Sequence, residues 1–107
     1  TLAEEVRRQW FSFSDITKMS DPEIQVLLKN VEQAKLIMAL KKTTPLVEKK
    51  IFANMSKRAQ KNLKDDIEAL GKVLVSDVEK AQQEIVMIIF DLQKQGLINL
   101  SASDEYV

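Results

Sequence analysis

The stretch that decides the fold class is Ser76–Gly96, SDVEKAQQEIVMIIFDLQKQG. Its apolar side chains recur every three or four residues, which is the spacing of one face of an α-helix. Ser76 and Glu79 have the Ser-x-x-Glu spacing of a capping box, so a helix is predicted to begin at Ser76 and to run to Gly96. We expect this helix to be the longest in the chain. Its predicted inward face is Val78, Ala81, Ile85, Ile88, Ile89 and Leu92.

The rest of the chain shows nearly the same periodicity. Two glycines and two prolines in 107 residues leave little room for turns between strands. Further helix starts are predicted at Ser20, which forms a capping box with Glu23, at Thr44 before Pro45, and at Ser56. The sequence therefore predicts one all-α domain, a compact bundle of about six helices. The short apolar stretch "LINL" near the C-terminus is predicted to dock against this bundle.

Composition excludes several classes of function. The chain has 16 Lys+Arg and 16 Asp+Glu, and this zero net charge disfavours a nucleic-acid partner. It has no cysteine and no histidine, which removes thiol nucleophiles and the commonest metal ligands, so we expect no cofactor and no metal. The longest apolar run, "IVMIIF", is far short of the ~20 residues that a membrane span needs. We expect a piece of a soluble, cytosolic protein.

The stretch Met55–Gly71, MSKRAQKNLKDDIEALG, predicts a helix whose charges stand in an unfavourable order. A helix carries partial positive charge at its N-terminus, so each misplaced exposed charge costs about 0.3–1 kcal/mol. The order therefore indicates either that the protein tolerates this cost to helix stability or that the charges have another use. The early cations are Lys57, Arg58, Lys61 and Lys64, and the later anions are Asp65, Asp66 and Glu68.

A helical projection of this stretch separates a buried stripe from a charged ridge. Lys61 with Asp65, and Lys64 with Glu68, are predicted to pair at i,i+4. Neither Arg58 nor Asp66 has an opposite charge at i±3 or i±4. The charged ridge, formed by Arg58, Asp65 and Asp66, therefore offers charges of both signs to a partner outside the helix. Arg58 and Asp65 share one side of it, about 10.5 Å apart. The predicted buried stripe is Ala59, Leu63, Ile67 and Leu70.

Three other interpretations of these charges are possible. An ordinary solvated helix face has the same pattern. Asp65, Asp66 and Glu68 are carboxylates of the kind that bind metals, but no loop glycine or second ligand set accompanies them. A basic recognition helix is disfavoured because the adjacent acids would repel phosphate.

Four motifs resemble those of one known family, and they occur in the same order and with the same spacing. They are FSDITKMSDPEIQVLLKNV, IMALK, KIFANMSKRAQKNLKDDIEALG and SDVEKAQQEI. The chain resembles the C-terminal domains of the FliG family of flagellar motor switch proteins, from about Trp10 to the terminal DEYV. The resemblance implies six helices, no enzymatic activity, and a rotor domain that faces the cytoplasmic loop of the stator A subunit. It divides the chain into the end of an armadillo-type linker helix (1–9), a hinge motif (10–13) and a torque domain (14–107).

The same resemblance implies partners, a location and site residues. The partners are the stator loop, other switch-complex proteins and neighbouring copies in a ring, without nucleic acid or direct membrane insertion. The location is the cytoplasmic face of the inner membrane, in the flagellar basal body. The implied stator-contact residues are Lys41, Arg58, Asp65 and Asp66, and the implied hinge residues are Trp10, Phe11 and Phe13.

Departures from the family pattern leave a rival interpretation open. Leu74 stands where an arginine is usual, and Lys72, in place of a proline, is a candidate compensating charge. Lys42 replaces a glycine, and Trp10 replaces the methionine of the hinge motif. The rival is a divergent structural module that helps to assemble the ring without productive stator contact. From the residues alone, the aromatic cluster around Trp10 is a set of core anchors.

Overall fold

The structure, a computed structural model, describes residues 11–99. This part of the chain is all-helical, with six helices and no strand, as predicted. None of its helices has both the length and the apolar character to cross a membrane. Trp10 and the predicted linker helix at 1–9 lie outside the described residues. The helices are a 3-10 helix (Phe13–Lys18), α1 (Asp21–Lys29), α2 (Gln33–Ala39), α3 (Pro45–Phe52), α4 (Lys57–Leu70) and α5 (Val75–Lys94).

Three of the predicted helix starts are confirmed by their capping bonds. At α1, Ser20 Oγ accepts the Glu23 N–H at 3.4 Å, and Glu23 Oε1 accepts the Ser20 N–H at 2.9 Å. Thr44 Oγ1 at α3 and Ser56 Oγ at α4 each accept one backbone N–H of the first turn, at 3.3 Å and 3.1 Å. These bonds satisfy donors that have no partner within the helix.

The predicted capping box at the start of α5 is wrong. The helix begins at Val75, and Leu74 is its N-cap residue without any side-chain cap bond. The Leu74 carbonyl accepts the N–H groups of Asp77 and Val78, which places Ser76 inside the first turn. Val78 is buried, so packing of the first turn, rather than a serine cap, sets the start of α5. Five of the six predicted inward residues are buried, and Ile88 is partly buried.

Glycines end both long helices. After α5, the Gly96 N–H donates to Gln93 O and the Leu97 N–H donates to Leu92 O, each at 3.0 Å, which is a Schellman motif. Gly71 ends α4 at φ 70°, ψ −153°. This backbone conformation lies in the extended, positive-φ region that is essentially restricted to glycine, so Gly71 is not a left-handed helical cap.

Helix α5 lies at the centre and α4 lies at the outside. α2 packs against both α5 and α4, the 3-10 helix packs against α3 and α5, and α1 packs against α5. α2 buries only Leu36 and Ala39 of its seven residues, whereas α5 buries six residues. The largest fully buried side chains of the core are Ile16, Ile24, Leu27, Val47, Ile51, Leu63, Ile85 and Ile89.

The docking predicted for "LINL" is confirmed at one residue. Ile98 is buried, whereas Leu97 is exposed. The Asn99 N–H donates to Glu23 Oε2 at 3.1 Å. Because Glu23 Oε1 already closes the capping box of α1, this one carboxylate links the start of α1 to the segment after α5.

Candidate functional site

Helix α4 is anchored through a single fully buried side chain. Leu63 is 0% exposed, Ala59 and Ile67 are partly buried, and Leu70 is 39% exposed. The predicted four-residue stripe is thus confirmed at its centre and wrong at Leu70. Leu70, at the end of α4, lies outside the core, whereas Ile67 in the same turn packs against it.

The three ridge charges on α4 are exposed and have no partner within residues 11–99. The side chains of Arg58, Asp65 and Asp66 make no hydrogen bond and no ion pair there. Their helix has no acidic residue in its first turn and no basic residue in its last turn. Within the described part of the chain, these charges therefore add nothing to the packing of α4, and they remain available to a partner.

The predicted i,i+4 ion pairs of α4 are not formed within residues 11–99. Lys64 Nζ instead lies 5.3 Å from the centre of the Phe52 ring of α3, a cation–π contact. A lysine that precedes its acid at i,i+4 is the weaker orientation of such a pair. The aromatic face on the neighbouring helix therefore holds the ammonium of Lys64 in place of the Glu68 carboxylate.

Lys41 lies apart from the ridge and is already engaged. Its side chain is partly buried, and its ammonium donates to the backbone carbonyl of Ile67 at 2.9 Å. Ile67 is one of the last four residues of α4, whose carbonyls have no partner within the helix. The cation thus stands at the negative end of the α4 dipole, a position that favours positive charge. Its predicted stator contact is not tested by this geometry and stays a prediction.

Gln82 of α5 is a positioning residue that the sequence did not indicate. Its Nε2 donates to the Ala39 carbonyl at 2.9 Å and to the Lys42 carbonyl at 2.7 Å. These bonds hold the end of α2 and the following loop, which carries Lys41, against α5. A side chain some forty residues away in sequence leaves no local signal for this role.

A polar network joins α1 to the end of α3, just before α4. Asp21 Oδ1 pairs with Lys50 Nζ at 3.2 Å and accepts Asn54 Nδ2 at 3.2 Å. Gln25 Nε2 donates to Asn54 Oδ1 at 3.2 Å. The hydrogen bond from Asn54, and then the bond and charge of Lys50, lower the pKa of Asp21 below its ordinary value. The network orients the turn from which α4 begins.

Two of the three predicted hinge aromatics are part of the core. Phe11 is 6% and Phe13 is 8% exposed. The Phe11 ring packs edge-on against Phe90 of α5, with 5.9 Å between ring centres and 68° between planes, a favourable aromatic geometry. Within residues 11–99, the motif is therefore anchored to α5.

The exposed residue between these aromatics fixes the start of the 3-10 helix. The Ser12 N–H donates to Asp15 Oδ2 at 2.7 Å, and Lys18 Nζ lies 3.2 Å from Asp15 Oδ1. Burial raises the pKa of Asp15, but the bonds from Ser12 and Lys18 together outweigh it and leave this pKa lowered. The segment after the predicted hinge is thus held by its own capping bonds.

The link between α4 and α5 carries two of the departures noted in the sequence, Lys72 and Leu74. Lys72 is exposed and makes no ion pair within residues 11–99. Leu74, in the position of the usual arginine, is 67% exposed, and Val75 beside it is 48% exposed. The link therefore presents apolar surface as well as one cation.

The sequence model of the FliG C-terminal domain matches residues 1–100 of this chain. The chain belongs to the FliG C-terminal domain family. Two similar proteins are the flagellar motor switch proteins FliG of Thermotoga maritima, 47% identical over 97 residues, and of Borreliella burgdorferi, 44% identical over 104 residues. The alignments cover 91% and 97% of this chain but only 29% and 30% of those proteins. The FliG family is one of motor switch proteins, not of enzymes.

Solved FliG structures have the same fold. The chain aligns with the crystal structure of FliG (residues 116–343) from H. pylori at a TM-score of 0.87 and 35% identity, covering 92% of this chain and 43% of that one. It aligns with full-length FliG from Aquifex aeolicus at a TM-score of 0.82 and 42% identity, covering 87% of this chain and 29% of that one. The six-helix arrangement described above is therefore that of FliG C-terminal domains.

Proposed function

We propose that this domain is the part of a flagellar rotor that meets the stator, through Arg58, Asp65 and Asp66 on α4. The observation that carries the proposal is that these charges, of both signs, are exposed and unpartnered within residues 11–99. Their helix also keeps an unfavourable charge order, which helix stability alone does not explain. The FliG family to which the chain belongs supports a role in the motor.

A wet interface between charged surfaces suits repeated, brief contact. Each exposed ion pair contributes only about 0.2–1 kcal/mol, so a single contact breaks readily as the rotor moves. Screening beyond about 8 Å at physiological salt confines each interaction to near neighbours. The stator charges that pair with Asp65 and Asp66 are then basic, and those that pair with Arg58 are acidic. The sign of each charge, more than its exact position, determines the interaction.

The test is the double reversal Asp66→Lys with Arg58→Asp, made in the full-length rotor protein that contains this domain. The double variant keeps the net charge. We expect motile cells to lose rotation while they still assemble filaments, because attraction becomes repulsion at both ends of the ridge. Complementary reversals on the stator A-subunit loop should restore part of the rotation. In the purified chain, the free energy of unfolding should change by no more than about 0.5 kcal/mol.

A matched control reverses two exposed charges elsewhere. Glu79→Lys with Lys80→Asp, on α5, also keeps the net charge, and it should leave rotation unchanged. Normal swimming by the α4 double variant would refute the proposal. Unfolding of that variant would show that the charges are structural.

We also propose that the domain reorients at the hinge of Trp10, Phe11 and Phe13 when rotation reverses. Because Phe11 and Phe13 are buried, we place the bend between Trp10 and Phe11. Spin labels placed in residues 1–9 and on α5 should give a broad or bimodal distance distribution. A single narrow distance that Trp10→Ala leaves unchanged would mean a rigid anchor instead.

The second candidate function is a ring-assembly module without productive stator contact, at the same basal-body location. The observation that favours it is the exposure of Leu74 and Val75, at 67% and 48%, since exposed apolar side chains side by side suit contact with a protein neighbour. Neighbouring copies and other switch-complex proteins would be the partners. Fusion of this domain to the rest of a rotor protein, in a strain that lacks its own, separates the two functions. Filaments without rotation would favour the assembly module, and restored motility would favour torque, with Lys72 as the substitute cation.

A further inference from the structure

We infer that Lys41 is a positioning residue, which holds the C-terminal end of α4 and thereby the direction of Asp65 and Asp66, and does not itself contact the stator. The inference rests on the proposed function of the α4 ridge. It is carried by one contact, the hydrogen bond from Lys41 Nζ to the Ile67 carbonyl at 2.9 Å.

Lys41 connects the C-terminal ends of two helices. Its backbone N–H donates to the Met38 carbonyl of α2 at 3.2 Å, and its ammonium donates to the Ile67 carbonyl of α4. Each of these helix ends carries partial negative charge from carbonyls without helical partners. Lys41 thus supplies a partner to both ends, its backbone N–H at α2 and its ammonium at α4.

The last turn of α4 has few other attachments. Leu63, the only fully buried residue of α4, lies one turn before Ile67, and Leu70 beyond it is 39% exposed. No basic residue of α4 itself lies in its last turn. The bond from Lys41, together with the Ile67 side chain that packs against the core, therefore tethers the turn that follows Asp65 and Asp66. Loss of this tether would let that turn fray and would move the anionic end of the ridge.

The same bond makes Lys41 a poor contact for an outside partner. Its side chain is partly buried, and its ammonium is directed at a main-chain carbonyl of its own chain. Reaching a carboxylate on the stator would break this bond and leave the end of α4 uncapped. The neighbouring Lys42 is exposed, and its side chain makes no hydrogen bond or ion pair within residues 11–99. Lys42 thus provides a matched control, with the same side chain one residue away.

The first experiment measures amide hydrogen exchange in the purified 107-residue chain for Lys41→Met and for Lys42→Met. Methionine keeps most of the apolar stem and removes the charge and the donors. The reporter is the Gly71 N–H, which donates to the Glu68 carbonyl at 3.2 Å in the last turn. We expect exchange there to be about fivefold faster in Lys41→Met, a change typical of a cation at a helix end, and unchanged in Lys42→Met.

Lys41→Arg keeps the inference falsifiable if the methionine variant unfolds. Arginine retains a cation and several donors on a long stem, so it should preserve most of the protection at Gly71. Unchanged exchange in a folded Lys41→Met, or equal acceleration in Lys42→Met, would overturn the inference. The inference would also be overturned if Lys41→Arg lost as much exchange protection at Gly71 as Lys41→Met.

The second experiment separates this inference from the proposed function. Stator reversals that restore part of the rotation of Arg58→Asp should restore none in Lys41→Glu, because Lys41 has no stator partner. A stator reversal that rescues Lys41→Glu would overturn the inference and leave the ridge proposal intact. If stator reversals rescue neither variant, the ridge proposal fails, and the exchange experiment alone decides the role of Lys41.

Discussion

Replacing Lys57 by glutamate should stabilise this domain. Lys57 is the first residue of α4, is exposed, and its side chain makes no hydrogen bond or ion pair within residues 11–99. A cation there opposes the helix dipole, whereas an anion favours it, and each of these two effects amounts to about 0.3–1 kcal/mol. A glutamate at this position also stands four residues before Lys61, the favourable orientation of an i,i+4 pair, which contributes about 0.2–0.5 kcal/mol. The free energy of unfolding should rise by about 1–2 kcal/mol.

Thermal unfolding followed by circular dichroism measures this gain. For a domain of this size, 1 kcal/mol corresponds to about 4 °C in Tm, so Lys57→Glu should raise Tm by about 4–8 °C. Lys57→Gln should produce about half of the rise, because it removes the unfavourable cation without adding an anion. The gain should shrink in ~1 M salt, where the screening length falls to about 3 Å.

The same substitution at the opposite end of a helix is the control. Lys49 is an exposed residue in the last turn of α3, where a cation is favourable, so Lys49→Glu should lower Tm by a comparable amount. If Lys57→Glu left Tm unchanged or lowered it while Lys49→Glu behaved as expected, the charge order of α4 would not be a cost to stability. The principal physical argument for a functional ridge would then fail.

Three further outcomes follow from the packing and the polar network. Leu63→Ala should lower the free energy of unfolding by about 2–5 kcal/mol, because it removes the one fully buried side chain of α4. Leu70→Ala should lower this free energy by less than about 0.5 kcal/mol, and urea denaturation measures both changes. Asp21 has a lowered pKa in the folded chain, so its ionised form stabilises the fold above the ordinary aspartate pKa of about 3.9, and this contribution is lost as the pH falls through the lowered pKa. Asp21→Asn, or removal of its donor by Asn54→Ala, should therefore flatten the acid limb of urea midpoints recorded from pH 5 to pH 2. Gln82→Ala removes two hydrogen bonds to the end of α2 and should lower the unfolding free energy by about 0.5–1.5 kcal/mol, and an unchanged urea midpoint would contradict its positioning role.

The sequence by itself determined the helices and most of their limits. Capping bonds join residues three apart, so Ser20, Thr44 and Ser56 mark helix starts whatever the rest of the chain does. The Schellman bonds at Gly96 are equally local. Where packing competes with a local signal the sequence misleads, as at Ser76, because burial of Val78 draws the first turn of α5 one residue earlier.

The tertiary structure decided which charges are free. The family resemblance implies the same stator contact for Lys41, Arg58 and Asp66, yet within residues 11–99 only the Lys41 side chain finds an internal acceptor, 26 residues away in the chain. Lys64 likewise turns to a ring on α3 in place of the acid four residues on. Such contacts depend on which helix ends meet when α2, α4 and α5 pack, and no local spacing encodes that meeting. In the last turn of α4 only Ile67 packs against the core, so the bond from the ammonium of Lys41 adds a second attachment there, and this relation exists only in the folded chain.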